Sequence, residues 1–315
     1  MKGHLSATHN APQRWLDKHF PSATTPLGMG EEKERISLIH TASQSGGNMG
    51  ELVGEGQRGA KITPERCLAG GAVTRRLVIY AHYDSEGEIK PYVLRTLRDM
   101  KPFCSEIHFV STATLSSSEQ EKLKDLCITV RLKANIGLDF GMWQMGIQEI
   151  DLSAWDELLL LNSSVCSMGP VEPLFRAAAG QPWDFWGLTD TLELDWHLQS
   201  YFLVFRASVL RSEAFSIFWN SVIPYQDKDQ IIRSYELGVS LWLKDAGFRP
   251  GVLFPYEHVR KYGKRRWLRF GRVKRKTNPC IFYAENLLWM GMPFVKTALL
   301  RDYFPGVDPE RIGGH

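Results

Sequence analysis

Polar residues cluster where apolar runs stop, and those stops are where this chain can do chemistry. RLVIYA ends in His82-Tyr83-Asp84, CITVRLKANI leads into Asn135, Gly137 and Asp139, and ELLLL ends in Asn162-Ser163-Ser164. An imidazole, a phenol, carboxylates, amides and hydroxyls can all hydrogen-bond a polar ligand. Each also has a structural use. Asn and Ser favour turns, Gly137 permits a tight backbone turn, and Asp139 suits the first turn of a helix. A second kind of site is aromatic. Trp183, Phe185, Trp186, Trp196, Tyr201, Phe202, Phe205 and Trp219 crowd one stretch. Sugars stack their C–H faces on such rings, although most of them must be core. Trp186, just before Gly187, is the candidate for an exposed ring, with Asp184, Thr189 and Asp190 as flanking hydrogen-bonding groups.

The motifs that are missing exclude other chemistries. The chain has no GxGxxG after its first strand and no GxxxxGK[ST], so a dinucleotide or P-loop site is disfavoured. It has no HExxH and no GxSxG elbow, which disfavours zinc proteases and serine hydrolases. Five Cys at 67, 104, 127, 166 and 280 form no CxxC pair or zinc-like cluster, and fit a reduced, cytoplasmic compartment. The first twenty residues lack an apolar signal region, and no run of eighteen apolar residues exists to span a membrane.

The elements that must position these residues follow from periodicity. Strands are expected over 76–84, 106–115, 127–136 and 155–165, the last with four consecutive leucines that imply burial on both faces. Helices are expected over 89–101, 116–126 and 138–150. Alternation of this kind implies an α/β fold with a largely parallel sheet, whose ligands sit beyond the carboxyl ends of the strands. Ser234-Tyr235-Glu236 is read as the opening of a helix that buries Leu237, Leu241 and Ala246 and stops at Gly247. Residues 1–72 are polar and glycine-rich between 45 and 59, and read as a flexible extension with a short helix near Arg14 to His19. Residues 73–256 form the main domain, and 257–315 a basic, helical segment packing on it.

Several segments together resemble the rhamnan-synthesis F family of polysaccharide glycosyltransferases. They are ELLLLNSSVCSMGPVEPLF (157–175), WDFWGLTDTLELDWHLQSYFLVFRASVL (183–210), SYELGVSLWLKDAGF (234–248) and NPCIFYAENLLWMGMPFVKTALLRD (278–302), within a resemblance spanning about 76 to 305. HLQSYFLVF is the most specific of them. The resemblance implies a GT-A-like, nucleotide-sugar-binding sheet flanked by helices. It implies donor contacts from His82, Tyr83, Asp84, Asn135, Gly137, Asp139, Asn162, Ser163 and Ser164, and acceptor contacts from Asp184, Trp186, Gly187, Thr189 and Asp190. Glu236 is then the base that deprotonates the acceptor hydroxyl, with Asp195 or Asp190 next in line. The reaction is expected to invert, and rhamnose is the first guess for the sugar. The related pattern at the fourth strand is Asn-Asp-Ser, and this chain has Asn162-Ser163-Ser164, without the Asp. No cofactor is firmly implied, and Mg²⁺ or Mn²⁺ would enter only with the donor diphosphate. The missing Asp also admits a non-catalytic saccharide-binding or assembly subunit on the same fold.

Charge is distributed unevenly. The net charge of +3 does not mark a nucleic-acid binder. Ten Lys or Arg and a single Glu nevertheless lie between Glu257 and Lys276, leaving 28 basic against 34 acidic residues elsewhere. Tyr262, Trp267 and Phe270 interleave with the block, whose cations begin at Arg260 and Lys261. Such a segment suits peripheral contact through 260–276 with an anionic membrane, where a lipid-linked acceptor would be found. Each cation gains about 1 kcal/mol near an anionic leaflet, and salt removes most of it. Binding to anionic vesicles is expected, with loss in high salt and in a charge-neutralised block. Equal vesicle partitioning of wild type and the neutralised variant would reject the membrane contact.

Overall fold

The apolar runs become strands buried on both faces, and that double burial fixes the sheet. The computed structural model describes residues 74–127, 129–134, 137–223, 225, 227–262 and 278–303. The extension over 1–72, Asn135 and the basic block from 263 to 277 lie outside the described residues. In β1 (Arg76–His82) every residue is buried. Leu77, Ile79 and Ala81 point into one core, Val78 and Tyr80 into the other. α1 (Pro91–Met100) starts on a proline, which costs no hydrogen bond in a first turn. It lays Val93, Leu97 and Met100 on the Tyr80 face. β2 (Glu106–Ser111) follows. Ser116 then caps α2 (Ser117–Glu121), its hydroxyl accepting from Glu119 N at 3.2 Å. That helix is shorter than expected, because residues 122–127 continue largely in i to i+3 turns such as Leu126 N to Leu123 O at 2.9 Å.

β3 (Thr129–Leu132) is a short, half-buried edge strand. Gly137, at φ 86°, turns the chain into α3 (Leu138–Gln148), whose Phe140, Trp143 and Ile147 cover the Ile79 face. β4 (Glu157–Asn162) sends Leu158 and Leu160 to that face and Leu159 and Leu161 to the other, as four leucines with helices on both sides must. β5 (Val165–Ser167), α4 (Glu172–Ala178), β6 (Phe185–Thr191), β7 (His197–Leu198) and β8 (Phe202–Arg206) come next. α5 (Ala207–Leu210) and the Ser212-capped α6 (Glu213–Asn220) lead to α7 (Lys228–Ile231). The helix continues through a π-turn over Ile232–Glu236 into α8 (Leu237–Asp245). β9 (Pro250–Phe254), α9 (Tyr256–Tyr262), α10 (Pro279–Phe282), α11 (Ala284–Trp289), β10 (Phe294–Lys296) and α12 (Thr297–Tyr303) complete the order.

The main sheet runs β3-β2-β1-β4-β8-β6-β7, with β9 beside β6. β3, β2, β1 and β4 are mutually parallel, as expected from their alternation with helices. Beyond β4 the sheet is mixed, because β8 lies antiparallel to both β4 and β6. β6 therefore runs in the direction of β4, so Asp190 sits at the carboxyl edge and Asp184 at the opposite one. The C-terminal residues are not purely helical. β10 pairs antiparallel with β5, driven by burial of Phe294 and Val295. Two further expectations change. The helix containing Glu236 begins six residues earlier, at Lys228, where the preceding Asp227 Oδ1 accepts from Asp229 N at 2.8 Å, and Ala246 is exposed rather than core. Gly247 does close α8, at φ +91°, donating to Lys244 O at 3.0 Å.

The approach of α3 to the sheet rests on Gly146. A Cβ there would lie 2.9 Å from Ile79 Cγ2 and 3.1 Å from its Cδ1, and Ile79 is fully buried. Gly146→Val is expected to destabilise the fold by about 1–3 kcal/mol through overpacking. The same substitution should cost less in an Ile79→Ala background. Equal losses in denaturant melts of both backgrounds would refute the contact.

Candidate functional site

The carboxyl end of β4 is held by a knot of side chains around Asn162, which is 3 % exposed. Asn162 Nδ2 donates to Asp139 Oδ2 at 2.7 Å, from the first turn of α3. Asn162 Oδ1 accepts from Ser164 N at 3.2 Å and from Ser164 Oγ at 2.6 Å. The amide of Asn162 thus braces β4 to α3 and to its own turn. Ser163 N donates to Ala81 O at 3.0 Å, and Ser163 Oγ faces Tyr83 N at 3.4 Å. The half-buried hydroxyls of Ser163 and Ser164 thus stand at the gap between β1 and β4, where a doubly wound sheet takes ligands.

Next to this knot lies the turn between β7 and β8. Register sets Leu161 opposite Phe202, so Ser200 and Tyr201 extend past the β4 end. Gln199 N donates to Thr189 O at 3.0 Å, Gln199 Oε1 accepts from Thr189 Oγ1 at 2.8 Å, and Gln199 Nε2 donates to Asn278 Oδ1 at 3.1 Å. Ser200 N donates to Glu236 Oε1 at 3.1 Å. The Tyr201 hydroxyl bonds Thr189 Oγ1 at 2.8 Å, and its ring carries the Lys296 ammonium 4.8 Å from the centroid. Lys296 Nζ also donates to Ser164 Oγ at 3.0 Å. Consecutive residues of one turn therefore hold a carboxylate and an ammonium beside the strand end. Both reach Cys280: burial pushes its thiol up, while Lys296 pulls it down and Glu236 pushes it further up. A fixed cation, hydroxyl donors and a carboxylate together can bind an anion and accept a proton.

Glu236 is half-buried at the last residue of the π-turn. Turns of this kind inside α-helices often occur at functional sites. It lies inside a continuous helical run, so capping of a helix start does not explain it. Among the described residues Ser200 N donates to its carboxylate.

At the end of β1 the three polar residues have different fates. His82 is 1 % exposed, with Nδ1 on Ser111 Oγ at 2.9 Å and Nε2 without a hydrogen-bond partner among the described residues. Burial lowers its imidazole to about 4, against upward pulls from the Asp84 carboxylate and the Glu88 backbone. Asp84 closes its own turn, accepting from Glu86 N at 2.9 Å and Glu88 N at 3.1 Å through Oδ1. Tyr83 is 51 % exposed beside Ser163, an open ring at the edge of the site.

The residues read as acceptor contacts scatter. Trp186, expected to be exposed, is 1 % exposed and packs on Phe175 and Phe202, because β6 is an interior strand between β8 and β9. Gly187 is sheet backbone, where a Cβ would meet Phe202 O at 3.2 Å. Asp184 lies at the far edge, where Arg249 N and Nε and Ser208 Oγ donate to it. Partial burial works against its ionisation, but those bonds outweigh it and lower its carboxyl. Asp190 is buried, with Trp196 Nε1 on one oxygen at 2.8 Å and Tyr256 N on the other at 2.6 Å. Neither Asp184 nor Asp190 is open to an acceptor. Asp195 is exposed in the turn after β6, apart from this arrangement. Thr189 joins the site as a partner of Gln199 and Tyr201. Sequence reasoning overlooked Lys296, Ser200 and Gln199, although two of them lie within HLQSYFLVF.

A carboxylate clamp for Mg²⁺ or Mn²⁺ does not fit these groups. Hard divalent ions want carboxylate oxygens. Here the Ser164 hydroxyl already donates to Asn162 and accepts from an ammonium. Among the described residues no group of three or more His, Cys, Asp or Glu is arranged to hold a metal.

Comparison with known proteins gives a family and distant relatives. The family model described as Rhamnan synthesis protein F matches residues 107–304. Virulence protein VirA of Vibrio anguillarum is 27 % identical over 190 residues, covering 54 % of this chain and 61 % of VirA. Uncharacterized protein y4gN of Sinorhizobium fredii is 24 % identical over 190 residues, covering 57 % of this chain and 49 % of y4gN. The chain thus spans about half to three fifths of the length of these relatives. Among solved structures, core-mannan synthase A from Aspergillus fumigatus in its Mn/GDP form overlays with a TM-score of 0.41 at 9 % identity, covering 64 % of this chain and 80 % of that one. Galactosyltransferase LgtC in complex with donor and acceptor sugar analogs overlays with a TM-score of 0.30 at 15 % identity, covering 51 % of this chain and 71 % of that one. At these TM-scores the overlays assign no residue a role.

The buried His82 has a consequence for pH. It is neutral in the folded state down to about 4, whereas an unfolded His takes its proton near 6.5. The unfolded chain therefore binds more protons in that window, so stability is full above 6.5 and falls as pH drops through it. The loss reaches about 2 kcal/mol by pH 5. His82→Asn, which can keep a bond to Ser111, should flatten this slope in denaturant melts between pH 7.5 and 5. An unchanged slope would mean that His82 takes its proton in the fold at the same pH as in the unfolded chain.

Proposed function

Because the chain belongs to the rhamnan synthesis F family, we propose that it is a glycosyltransferase that moves a sugar from a nucleotide donor onto a surface-polysaccharide acceptor. The observation that carries this reading is the pairing of Glu236 and Lys296 on Ser200 and Tyr201, beside the carboxyl end of β4. The nucleotide lies across the β1–β4 gap, as in GT-A-type enzymes. The Tyr83 ring is exposed to stack on the base, and the Ser163 and Ser164 hydroxyls face the ribose or the phosphates. Asn162 and Asp139 support that edge from behind rather than touching the donor. The family points to rhamnose or another deoxyhexose or hexose, and a lipid-linked saccharide at a membrane face suits the acceptor. Among the described residues no helix is long and apolar enough to cross a membrane. Arg260 and Lys261, at the end of α9, would lead into a basic contact with anionic lipid.

The proposed step is a single displacement with inversion. The acceptor hydroxyl oxygen bonds to the anomeric carbon while the bond from that carbon to the phosphate oxygen breaks. The hydroxyl proton passes to Glu236, and the nucleoside diphosphate leaves with the electron pair. Ser200 N–H fixes one carboxylate oxygen and so orients the other for the proton. The absence of a carboxylate in Asn162-Ser163-Ser164 favours one alternative, a non-catalytic saccharide-binding or assembly subunit on the same fold.

One variant separates these readings, after a thermal-shift screen with UDP-, GDP-, dTDP- and CMP-linked sugars has found the donor. Glu236→Gln is expected to lower kcat by about 10²–10⁴ and leave donor affinity unchanged. Near-normal kcat in this variant would move the base elsewhere. Donor binding by the wild type without any transfer would favour the non-catalytic subunit.

A further inference from the structure

We propose that Lys296 is the resident cation of the donor site, and that its ammonium holds the donor diphosphate without a divalent metal. The inference rests on the glycosyltransferase reading and deepens it by naming what neutralises the phosphates. Its starting point is the strand-end triplet Asn162-Ser163-Ser164, whose side chains are all neutral and whose amide is bonded to Asp139 and Ser164. The positive charge at this edge comes from a distant part of the chain. β10 pairs with β5, bringing Lys296 opposite Val165, directly after the triplet. Thr297 locks that register by donating to Ser164 O from both N, at 2.9 Å, and Oγ1, at 3.2 Å.

Lys296 is half-buried, with the Tyr201 ring on one side and Ser164 Oγ at 3.0 Å on another. An ammonium has three donors, and the hydroxyl uses one. Among the described residues no carboxylate pairs with it within ion-pair distance, although Glu157, Asp184 and Glu257 all find such partners. A partly buried cation without a counter-ion is costly to keep. A bound anion at the strand end relieves that cost, and a diphosphate lying across Ser163 and Ser164 reaches Nζ there. The same contact argues against a metal in this place. A divalent ion on Ser164 Oγ would face the ammonium a few ångströms away and would displace its hydrogen bond. A Lys held as a point charge is also a familiar phosphate ligand.

Isothermal titration with UDP, GDP and dTDP tests this, using the full chain in EDTA and again with Mn²⁺, followed by Lys296→Gln and Lys296→Arg. The best-binding nucleoside diphosphate is expected to bind wild type equally in EDTA and in Mn²⁺. Lys296→Gln should weaken it roughly 10- to 100-fold, the loss of one charge-assisted contact. Lys296→Arg should recover most of the affinity, and the parent nucleoside should bind wild type and Lys296→Gln alike. Thermal melts of the free variants separate a binding loss from a folding loss, because Lys296→Arg keeps the charge in the same packing. Wild-type binding that appears only with Mn²⁺, or unweakened binding by Lys296→Gln, overturns the role of Lys296 alone. No binding of any of these nucleoside diphosphates, nor of CMP, by wild type in either condition overturns the glycosyltransferase reading with it.

Discussion

The structure of the site depends on one buried polar turn, Gln199-Ser200-Tyr201, between β7 and β8. Each residue of the turn is buried, and each has polar groups that must find partners there. Gln199 finds them on Thr189 and Asn278, Ser200 on Glu236, and Tyr201 on Thr189. The turn thereby ties together β6, the π-turn ahead of α8, and the start of α10. Lys296, from β10, then rests on the Tyr201 ring. The charged groups are held by residues that are themselves buried and hydrogen-bonded, which is the condition for a site on rigid elements.

Electrostatics accounts for the proposed donor site doing without a metal clamp. The strand end is neutral, the ammonium of Lys296 meets a hydroxyl rather than a carboxylate, and the carboxylate of Glu236 meets a backbone N–H. The two charges lie near one another without neutralising each other through a direct ion pair among the described residues. Each keeps capacity for a ligand group of opposite character, a phosphate for the cation and a hydroxyl proton for the carboxylate. Asn162 and Asp139 bond one another and brace the turn carrying Ser163 and Ser164.

Much of the sheet was legible because its strands announce themselves locally. β1 and β4 are uninterrupted apolar runs, and Leu158 to Leu161 alternate between two helix-covered faces. The polar stops after β1 and β4 fall where the site is, and HLQSYFLVF marks the turn that organises it. The rest depended on long-range pairing. Lys296 follows two apolar residues, and nothing local says that β10 pairs with β5, 131 residues earlier by the Lys296–Val165 register. Trp186 is buried, against expectation, because the reversal at β8, which makes β6 an interior strand, has no sequence signal in β6 itself. The helix around Glu236 extends further toward the N-terminus than its periodicity predicts, since the π-turn breaks the pattern that joins it to α7.

The central claim is that the nucleotide donor sits at the β1–β4 gap between Lys296 and Glu236. A crystal structure of the protein with a nucleoside diphosphate and a non-transferable sugar analogue tests it most directly. The account predicts diphosphate oxygens within hydrogen-bond distance of Lys296 Nζ and a Ser163 or Ser164 hydroxyl, the base against Tyr83, and the Glu236 carboxylate open toward the anomeric carbon. A nucleotide lodged elsewhere, for instance in the shallow groove lined by Asp151, Arg211 and Asn220, would contradict it.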